Sequence, residues 1–387
     1  MTMASRRDLL RSLAALSALS ALPTLSRSSH ASTTSDQRLV VVVLRGGLDG
    51  LALLPPHGDP AYSDARQRMA LPLPGEQGGI LDLDGFFGLH PAMADLLPLY
   101  AAGEMLGVHA VGLPDTQRSH FDAQDMLESG AGAPHALKTG WLNRALSVAA
   151  PHSTSPAIVI GQSVPLVLRG PAPVTSILAA GSAPSADPFL EMVSGLYTED
   201  RVLSQALEQG LMTQSMLEEQ LPGRRGRGAK KQARSTGQLL AHPEGPRVAV
   251  MTVGGVDTHA SQRATLSTRL RKLTENILAL REGLGSAWSE TAVVLITEFG
   301  RTVSSNGTGG TDHGTASAAL LLGGAIAGRR VISDWPGLTR LHEGRDLRVT
   351  TDLRSVLAGV LRDHLGLAGS GIFPDAPAAL PGLIRAV

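Results

Sequence analysis

Several stretches of the chain are apolar at every position, without the alternation of a half-exposed strand. The first, Leu39-Val40-Val41-Val42-Val43-Leu44, is also β-branched and ends in Arg45-Gly46-Gly47-Leu48-Asp49-Gly50. Such a run predicts a strand buried on both faces, and hence a parallel sheet covered by helices. Similar runs predict strands at Met105–Val111, Ala157–Ile160, Arg247–Val253, Thr291–Thr297 and Ala318–Leu322. Helical patterning falls between them at Ser261–Leu284 and after them at Asp352–Leu365. Leu96, Leu97 and Leu99 place a further helix over Ala92–Ala102, interrupted by Pro98, which lacks the N–H that a helix interior needs. Strands alternating with helices give an α/β, doubly wound, mostly parallel sheet with helices on both faces.

Two regions break this rhythm and read as loop insertions. Residues 151–188 are rich in Pro, Ser, Ala and Gly, and 222–235 carry a Gly/Arg/Lys run after a helical pattern at Tyr197–Leu221. The run reads as a solvated loop; a nucleic-acid or anionic-surface patch is the alternative.

The N-terminus follows a different logic. Ser5-Arg6-Arg7-Asp8-Leu9-Leu10 precedes an Ala/Leu/Ser run from Leu13 to Leu22, then Pro23 and a small-residue segment ending at Ala31. A charged start, a short apolar run and a small-x-Ala end are the parts of an export signal, and the paired arginines are those of the twin-arginine type. The run is about half of the roughly 20 apolar residues needed to span a bilayer. Residues 1–31 are therefore expected to be a twin-arginine signal, with the translocase a partner during export and the protein destined for the periplasm or secretion. No other segment reaches transmembrane length, so no stable membrane span is expected.

Composition narrows the chemistry. The 34 basic and 34 acidic residues balance, and aromatics make up only 3%. That leaves no electrostatic pull toward nucleic acid and no stacking platform for bases. With no cysteine, thiolate catalysis, iron–sulfur clusters and cysteine-ligated zinc are ruled out, so a metal is expected to rely on His, carboxylate or hydroxyl ligands.

Ligands of an open α/β sheet bind at the carboxyl ends of the strands. Three predicted strands deliver an acid there: Asp49, Asp257 and Glu298. Each alone could cap a following helix. Together they focus negative charge that cations would neutralise. Asp257-Thr258-His259 and Gly310-Thr311-Asp312-His313-Gly314 add histidines. Such a set suits divalent zinc, with manganese, iron or calcium as alternatives where carboxylates dominate. Arg118-Ser119-His120 precedes a predicted helix. Ser119 there is either a nucleophile for a phosphate or sulfate ester or an N-cap, and His120 a ligand or proton carrier. Arg118 or Arg301 would steady charge on the non-bridging oxygens, unless Arg301 only anchors its loop through a carboxylate.

The stretches LRGGLDG (44–50), LHPAM (89–93), RSHFDAQD (118–125), GGVDTH (254–259) with Gln262, TEFGRT (297–302), GTDHG (310–314) and TTDLRSVLAGVL (350–361) resemble a bacterial exported family, domain of unknown function 1501. That family is grouped with the alkaline phosphatase and sulfatase-like enzymes. The resemblance implies an alkaline phosphatase-like catalytic domain over 39–387 with one or two divalent metal ions. It implies one metal site from Asp257, His259 and His313, and a second from Asp49 and Glu298. Ser119 falls at the nucleophile, with Asp312 and Arg301 as support or substrate contacts. Two departures are Glu298, where Asp is usual, and Phe299, where His or Asn is common. The implied function is hydrolysis of a small or polymer-attached phosphate or sulfate ester. The alternative is an exported metal-binding or assembly protein that keeps the fold without turnover.

Overall fold

The computed structural model describes residues 36–116, 118–149, 157–161, 163–177 and 228–386, with positions 204 and 207. The export signal expected at 1–31 and the helix expected at 197–221 lie outside these residues, apart from those two positions.

The first apolar run forms β1 (Arg38–Arg45) at the middle of the main sheet. Its side chains alternate between two cores: Leu39, Val41 and Val43 in one, Val40, Val42 and Leu44 in the other. Period-2 geometry imposes this on any strand covered on both sides, which is why the run shows no polar alternation. Each such fully buried side chain contributes about 1.5–3 kcal/mol. A charge at Val41 would therefore lose its packing and be buried without a partner.

A hairpin, β2 (Leu81–Asp82) and β3 (Gly88–Leu89), stands apart. The main sheet continues with β4 (Met105–Gly112), β5 (Ala157–Ile160), β6 (Val174–Ile177), β7 (Val248–Gly254), β8 (Thr291–Ile296), β9 (Ser317–Leu322), β10 (Arg330–Ile332) and β11 (Thr351–Asp352). Its order is β10-β4-β9-β8-β1-β7-β5-β6, with β11 beside β4. β1 runs parallel to β7 and β8, with Val41 opposite Val250 and Val294. β9 alone reverses, antiparallel to both β4 and β8. The mostly parallel α/β sheet expected from the sequence is thus observed.

The helices are α1 (Gly50–Leu53), α2 (Tyr62–Arg66), α3 (Leu97–Ala101), α4 (His120–Ser129), α5 (Trp141–Val148), α6 (Ala229–Ala241), α7 (Gln262–Leu284) and α8 (Leu353–Leu365). α4, α5 and α8 cover one face of the sheet, and α3, α6 and α7 the other. α8 is bounded by its sequence: Asp352 caps it by accepting from Arg354 N at 2.8 Å, and Gly366 closes it in the left-handed conformation. The helix expected over Ala92–Ala102 is instead a 3₁₀ segment (Pro91–Leu96) running into α3. Pro98 sits in the first turn of α3, where its missing N–H costs nothing.

Two loop readings are corrected. Val174–Ile177, within the 151–188 insertion, joins the sheet as edge strand β6. The Gly/Arg/Lys run of 222–235 contributes its last residues to α6, where Ala233 is buried against α7 and the lysines stay exposed. Among the described residues no helix is long and apolar enough to cross a membrane.

Candidate metal centre

β8, β1 and β7 are neighbours, and their carboxyl ends deliver Glu298, the Gly46-Gly47 turn and Asp257 to one edge. The turn exists because Gly46 and Gly47 both adopt positive φ, 126° and 67°. A Cβ on Gly46 would lie 2.6 Å from Asp257 N, and one on Gly47 2.3 Å from the Phe299 ring. Only glycine lets these loops approach so closely. His313 arrives on the return loop through a bridge to Arg301, and His120 opens α4 after β4.

Three imidazoles converge here on the Asp257 carboxylate. His259 Nε2 lies 3.0 Å from Asp257 Oδ1 and 3.0 Å from His313 Nε2. His313 Nε2 is 3.4 Å from Asp257 Oδ1, and His120 Nε2 is 3.4 Å from Asp257 Oδ2. In a tetrahedral zinc site with ligand bonds near 2.0–2.1 Å, neighbouring donors stand about 3.3–3.4 Å apart. These four contacts have that spacing to within a few tenths of an ångström, and His120, Asp257 and His313 bring their donor atoms within 4.8 Å of one another.

The opposite ring nitrogens decide what the inner ones can be. His120 Nδ1 is 2.9 Å from Glu298 Oε1, His259 Nδ1 is 3.2 Å from Asp312 Oδ1, and His313 Nδ1 is 2.8 Å from the Arg118 carbonyl. All three partners only accept, so each Nδ1 carries a proton, and a neutral ring in this orientation turns an Nε2 lone pair inward. Lone pairs then face one another at 3.0 Å, and His120 Nε2 is buried with no hydrogen-bond partner. A protonated ring would satisfy one such contact. His313 resists that role, because burial above all, and the nearby His120 and Arg301, hold its pKa below the ordinary histidine value. A cation shared by the ring nitrogens and Asp257 satisfies all of them, and imidazoles oriented from behind by carboxylates and a carbonyl are those of metal-binding histidines. His120, Asp257 and His313 can therefore share one divalent ion, and His259 stands against two of them.

The carboxylates are kept charged. Burial works against the ionised form of Asp257, but the Arg301 guanidinium hydrogen-bonded to it outweighs that and keeps its pKa below the usual range. Asp312 is likewise held low, chiefly by the Asn306 amide and then by His259, against partial burial.

Other residues expected in the site take different places. Asp49 is 1% exposed and belongs to a separate buried network. Its Oδ2 accepts from Arg66 Nη2 and Gln262 Nε2, both at 2.5 Å, while Oδ1 caps α1 through Ala52 N. Glu298 stands behind His120, with Oε1 also accepting from Gly46 N (2.8 Å) and Gln124 Nε2 (3.1 Å) and Oε2 from Thr297 Oγ1. Asp49 and Glu298, expected to form a second metal site, are thus each held by protein donors. Their oxygens already accept from fixed donors, and among the described residues the group found close enough to share an ion is His120, Asp257 and His313. The Arg118 guanidinium is held by Asp346 (2.6 Å) and Glu343 (2.6 Å), so its carbonyl rather than its charge serves the cluster. Arg301 donates to the carbonyls of Gly46, Gly47 and Thr311 as well as to Asp257, which makes it the loop anchor. Ser119 sits at the N-cap of α4, but its hydroxyl makes no capping bond. Phe299 lies against the rings of His120 and His313, with centroids 4.8 and 4.9 Å away.

Arg66 and Gln124 were not singled out from the sequence. Gln124 was findable, since it lies one helical turn after His120 and so on the same face. Arg66 follows no pattern that separates it from the other arginines.

Residues 101–372 match the family described as a protein of unknown function, DUF1501, and the chain belongs to that family. No curated protein matches it. Solved structures similar to the chain include Ps i-CgsB in complex with k-i-k-neocarrahexaose, at 11% identity over 88% of this chain and 74% of that one, with a TM-score of 0.43. A 2-O GAG sulfatase is similar at 10% identity over 87% and 72%, with a TM-score of 0.41. The phosphonate monoester hydrolase of Agrobacterium radiobacter is similar at 10% over 86% and 74%, with a TM-score of 0.40.

Proposed function

We propose that this chain is an exported hydrolase of phosphate or sulfate esters, built around a single divalent metal held by His120, Asp257, His259 and His313. One observation carries the metal reading: three imidazoles, each with its Nδ1 committed to an acceptor, turn their Nε2 lone pairs onto one another and onto Asp257. Nitrogen and oxygen donors without sulfur suit zinc. A bound divalent ion would supply Lewis acidity, polarising an ester oxygen and lowering the pKa of a nearby hydroxyl or water.

The ester class rests on the resemblance of the motifs to a family grouped with the alkaline phosphatase and sulfatase-like enzymes. The chain's own residues supply the positioning. Ser119 is the nucleophile in this reading, because both its neighbours are pinned to the cluster: Arg118 by its carbonyl on His313, and His120 by Glu298. Its hydroxyl is uncommitted to the helix that follows. Asp257 and His259 remain half-exposed, with side-chain exposures of 41% and 47%, so a substrate reaches the cluster from solvent. Export rests on Arg6-Arg7 and the short apolar run after them.

A second reading is an exported metal-binding protein without turnover. It is favoured by His259, which touches both Asp257 and His313 and as a fourth donor would fill a tetrahedral shell as in structural zinc sites. Metal content of the purified protein, followed by turnover of generic aryl phosphate and aryl sulfate esters, separates the two. Bound metal with turnover that disappears in Ser119→Ala supports the hydrolase. Bound metal without turnover of either ester supports the second reading, and protein that holds no divalent ion overturns both.

A further inference from the structure

The acid that follows β1 is held by a network that leads back into both ligand loops. Asp49 Oδ2 accepts from Gln262 Nε2 at 2.5 Å. The other end of the same amide, Gln262 Oε1, accepts from Thr258 Oγ1 at 2.9 Å and from Thr311 Oγ1 at 2.5 Å. Thr258 lies between Asp257 and His259, and Thr311 lies two residues before His313. Arg66 neutralises Asp49 and turns its other amino group to the carbonyls of Thr302 (3.3 Å) and Val303 (2.8 Å), directly after Arg301. Asp49, Arg66, Thr258, Gln262 and Thr311 are each at most 2% exposed.

We propose that Asp49, Arg66 and Gln262 are positioning residues for the metal centre. They form a buried clamp that sets the spacing between the loop carrying Asp257 and His259 and the loop carrying Arg301 and His313. This rests on the metal reading above. A single amide oxygen receives one hydroxyl from each loop, so both of its lone pairs are used and the two loops share one fixed point. Asp49 determines which way that amide faces. A carboxylate only accepts, so the NH₂ of Gln262 turns to Asp49 and the oxygen turns to the threonines. Arg66 makes the buried charge of Asp49 tolerable and ties the Arg301 loop to the same point. The His259–His313 contact, between rings 54 residues apart in the chain, depends on this spacing.

The test is metal affinity of the full chain, stripped with a chelator and titrated with Zn²⁺ by competition and with Co²⁺ by its visible absorption. Gln262→Ala should weaken Zn²⁺ binding roughly 10- to 100-fold, the range for groups that orient ligands. It should also shift the Co²⁺ spectrum while keeping the wild-type stoichiometry. Thr311→Val should reproduce part of the loss, and Thr311→Ser, which keeps the hydroxyl, should restore wild-type binding. This pair carries the test should Gln262→Ala fail to fold. Wild-type affinity and spectrum in Gln262→Ala or Thr311→Val overturn the clamp while leaving the metal reading intact. A wild-type chain that binds neither ion overturns the metal reading and the clamp with it.

Discussion

Asp49 and Asp257 occupy equivalent places in the sequence: each follows a glycine-rich turn at the carboxyl end of a central strand, and β1 and β7 are neighbours. The fold gives them opposite surroundings. Asp49 is sealed with the guanidinium of Arg66 and the amide of Gln262. The Asp257 side chain is 41% exposed and faces three imidazole Nε2 atoms. Both carboxylates meet a buried guanidinium, Arg66 or Arg301, but Asp49 turns its oxygens to hydrogen-bond donors whereas Asp257 also faces imidazole Nε2 atoms, which a cation would satisfy. Which partner the chain brings to each carboxylate decides whether it is structural or metal-binding.

The sharpest break in this comparison comes from removing a ring nitrogen on the Asp257 side. His120→Ala or His313→Ala should weaken Zn²⁺ binding by orders of magnitude, beyond the roughly 10- to 100-fold of an orienting residue, since a direct donor is lost. Competition titration of the purified variants reads this directly. Unchanged binding in both variants would move the metal elsewhere.

On the Asp49 side the corresponding change acts on stability. Arg66→Met leaves the Asp49 carboxylate buried without its cation, which costs about 3–5 kcal/mol. Urea unfolding of the metal-free protein should show the midpoint falling accordingly. Asp257→Asn, at a half-exposed position where Arg301 keeps three carbonyl acceptors, should lower that midpoint less than Arg66→Met does while weakening metal binding by orders of magnitude. A small effect of Arg66→Met would mean that Asp49 is hydrated or protonated in the fold.

Histidines sharpen the contrast through pH. His90 and His109 are buried in the fold, and burial lowers both pKa values from 6.5 to about 4. Between pH 6.5 and 4 the unfolded chain therefore binds protons that the folded chain refuses. Stability should be steady above this window and fall as pH drops through it, by about 3 kcal/mol for each histidine. His90 also caps the following turn by accepting from Ala92 N at 3.0 Å. His90→Asn keeps a capping side chain but removes the titration. Chelated protein unfolded in urea at pH 7, 6, 5 and 4 should lose less stability in this variant than in wild type, by about one proton's worth of slope. Parallel curves would mean that His90 titrates alike in both states.

Most of the sheet was legible because burial on both faces leaves an unmistakable run of residues. Leu39–Leu44, Thr291–Ile296 and Ser317–Leu322 could scarcely be anything else. Strand direction was not legible: nothing in Ser317–Leu322 says that it runs against its neighbours. The short edge strand Val174–Ile177 was hidden by Pro and Ser around it, since an edge needs little apolar surface. In the site, the loops bearing Asp257, His259 and His313 announced themselves through glycine and charge. The roles of Asp49 and Glu298 did not, because they depend on Arg66 and His120, which the chain brings in from distant positions.

The smallest structural effect is expected at Ser119. Asp49 and Ser119 both stand at helix N-caps, but Asp49 Oδ1 accepts from Ala52 N while the Ser119 side chain makes no such bond. Replacing a working N-cap with Ala costs roughly 1 kcal/mol. Ser119→Ala, with no bond to lose, should change stability by less than about 0.5 kcal/mol, as surface substitutions usually do. It should also leave Zn²⁺ binding unchanged, because the Arg118 carbonyl and His120 that touch the cluster are untouched. Turnover of an aryl ester is where this hydroxyl would show itself, by disappearing in the variant. Activity equal to wild type would hand the attack to water and leave Ser119 with no chemical role. A stability loss near 1 kcal/mol would instead mean that the hydroxyl caps α4 in solution, placing Ser119 with Asp49 among the residues that only build the edge.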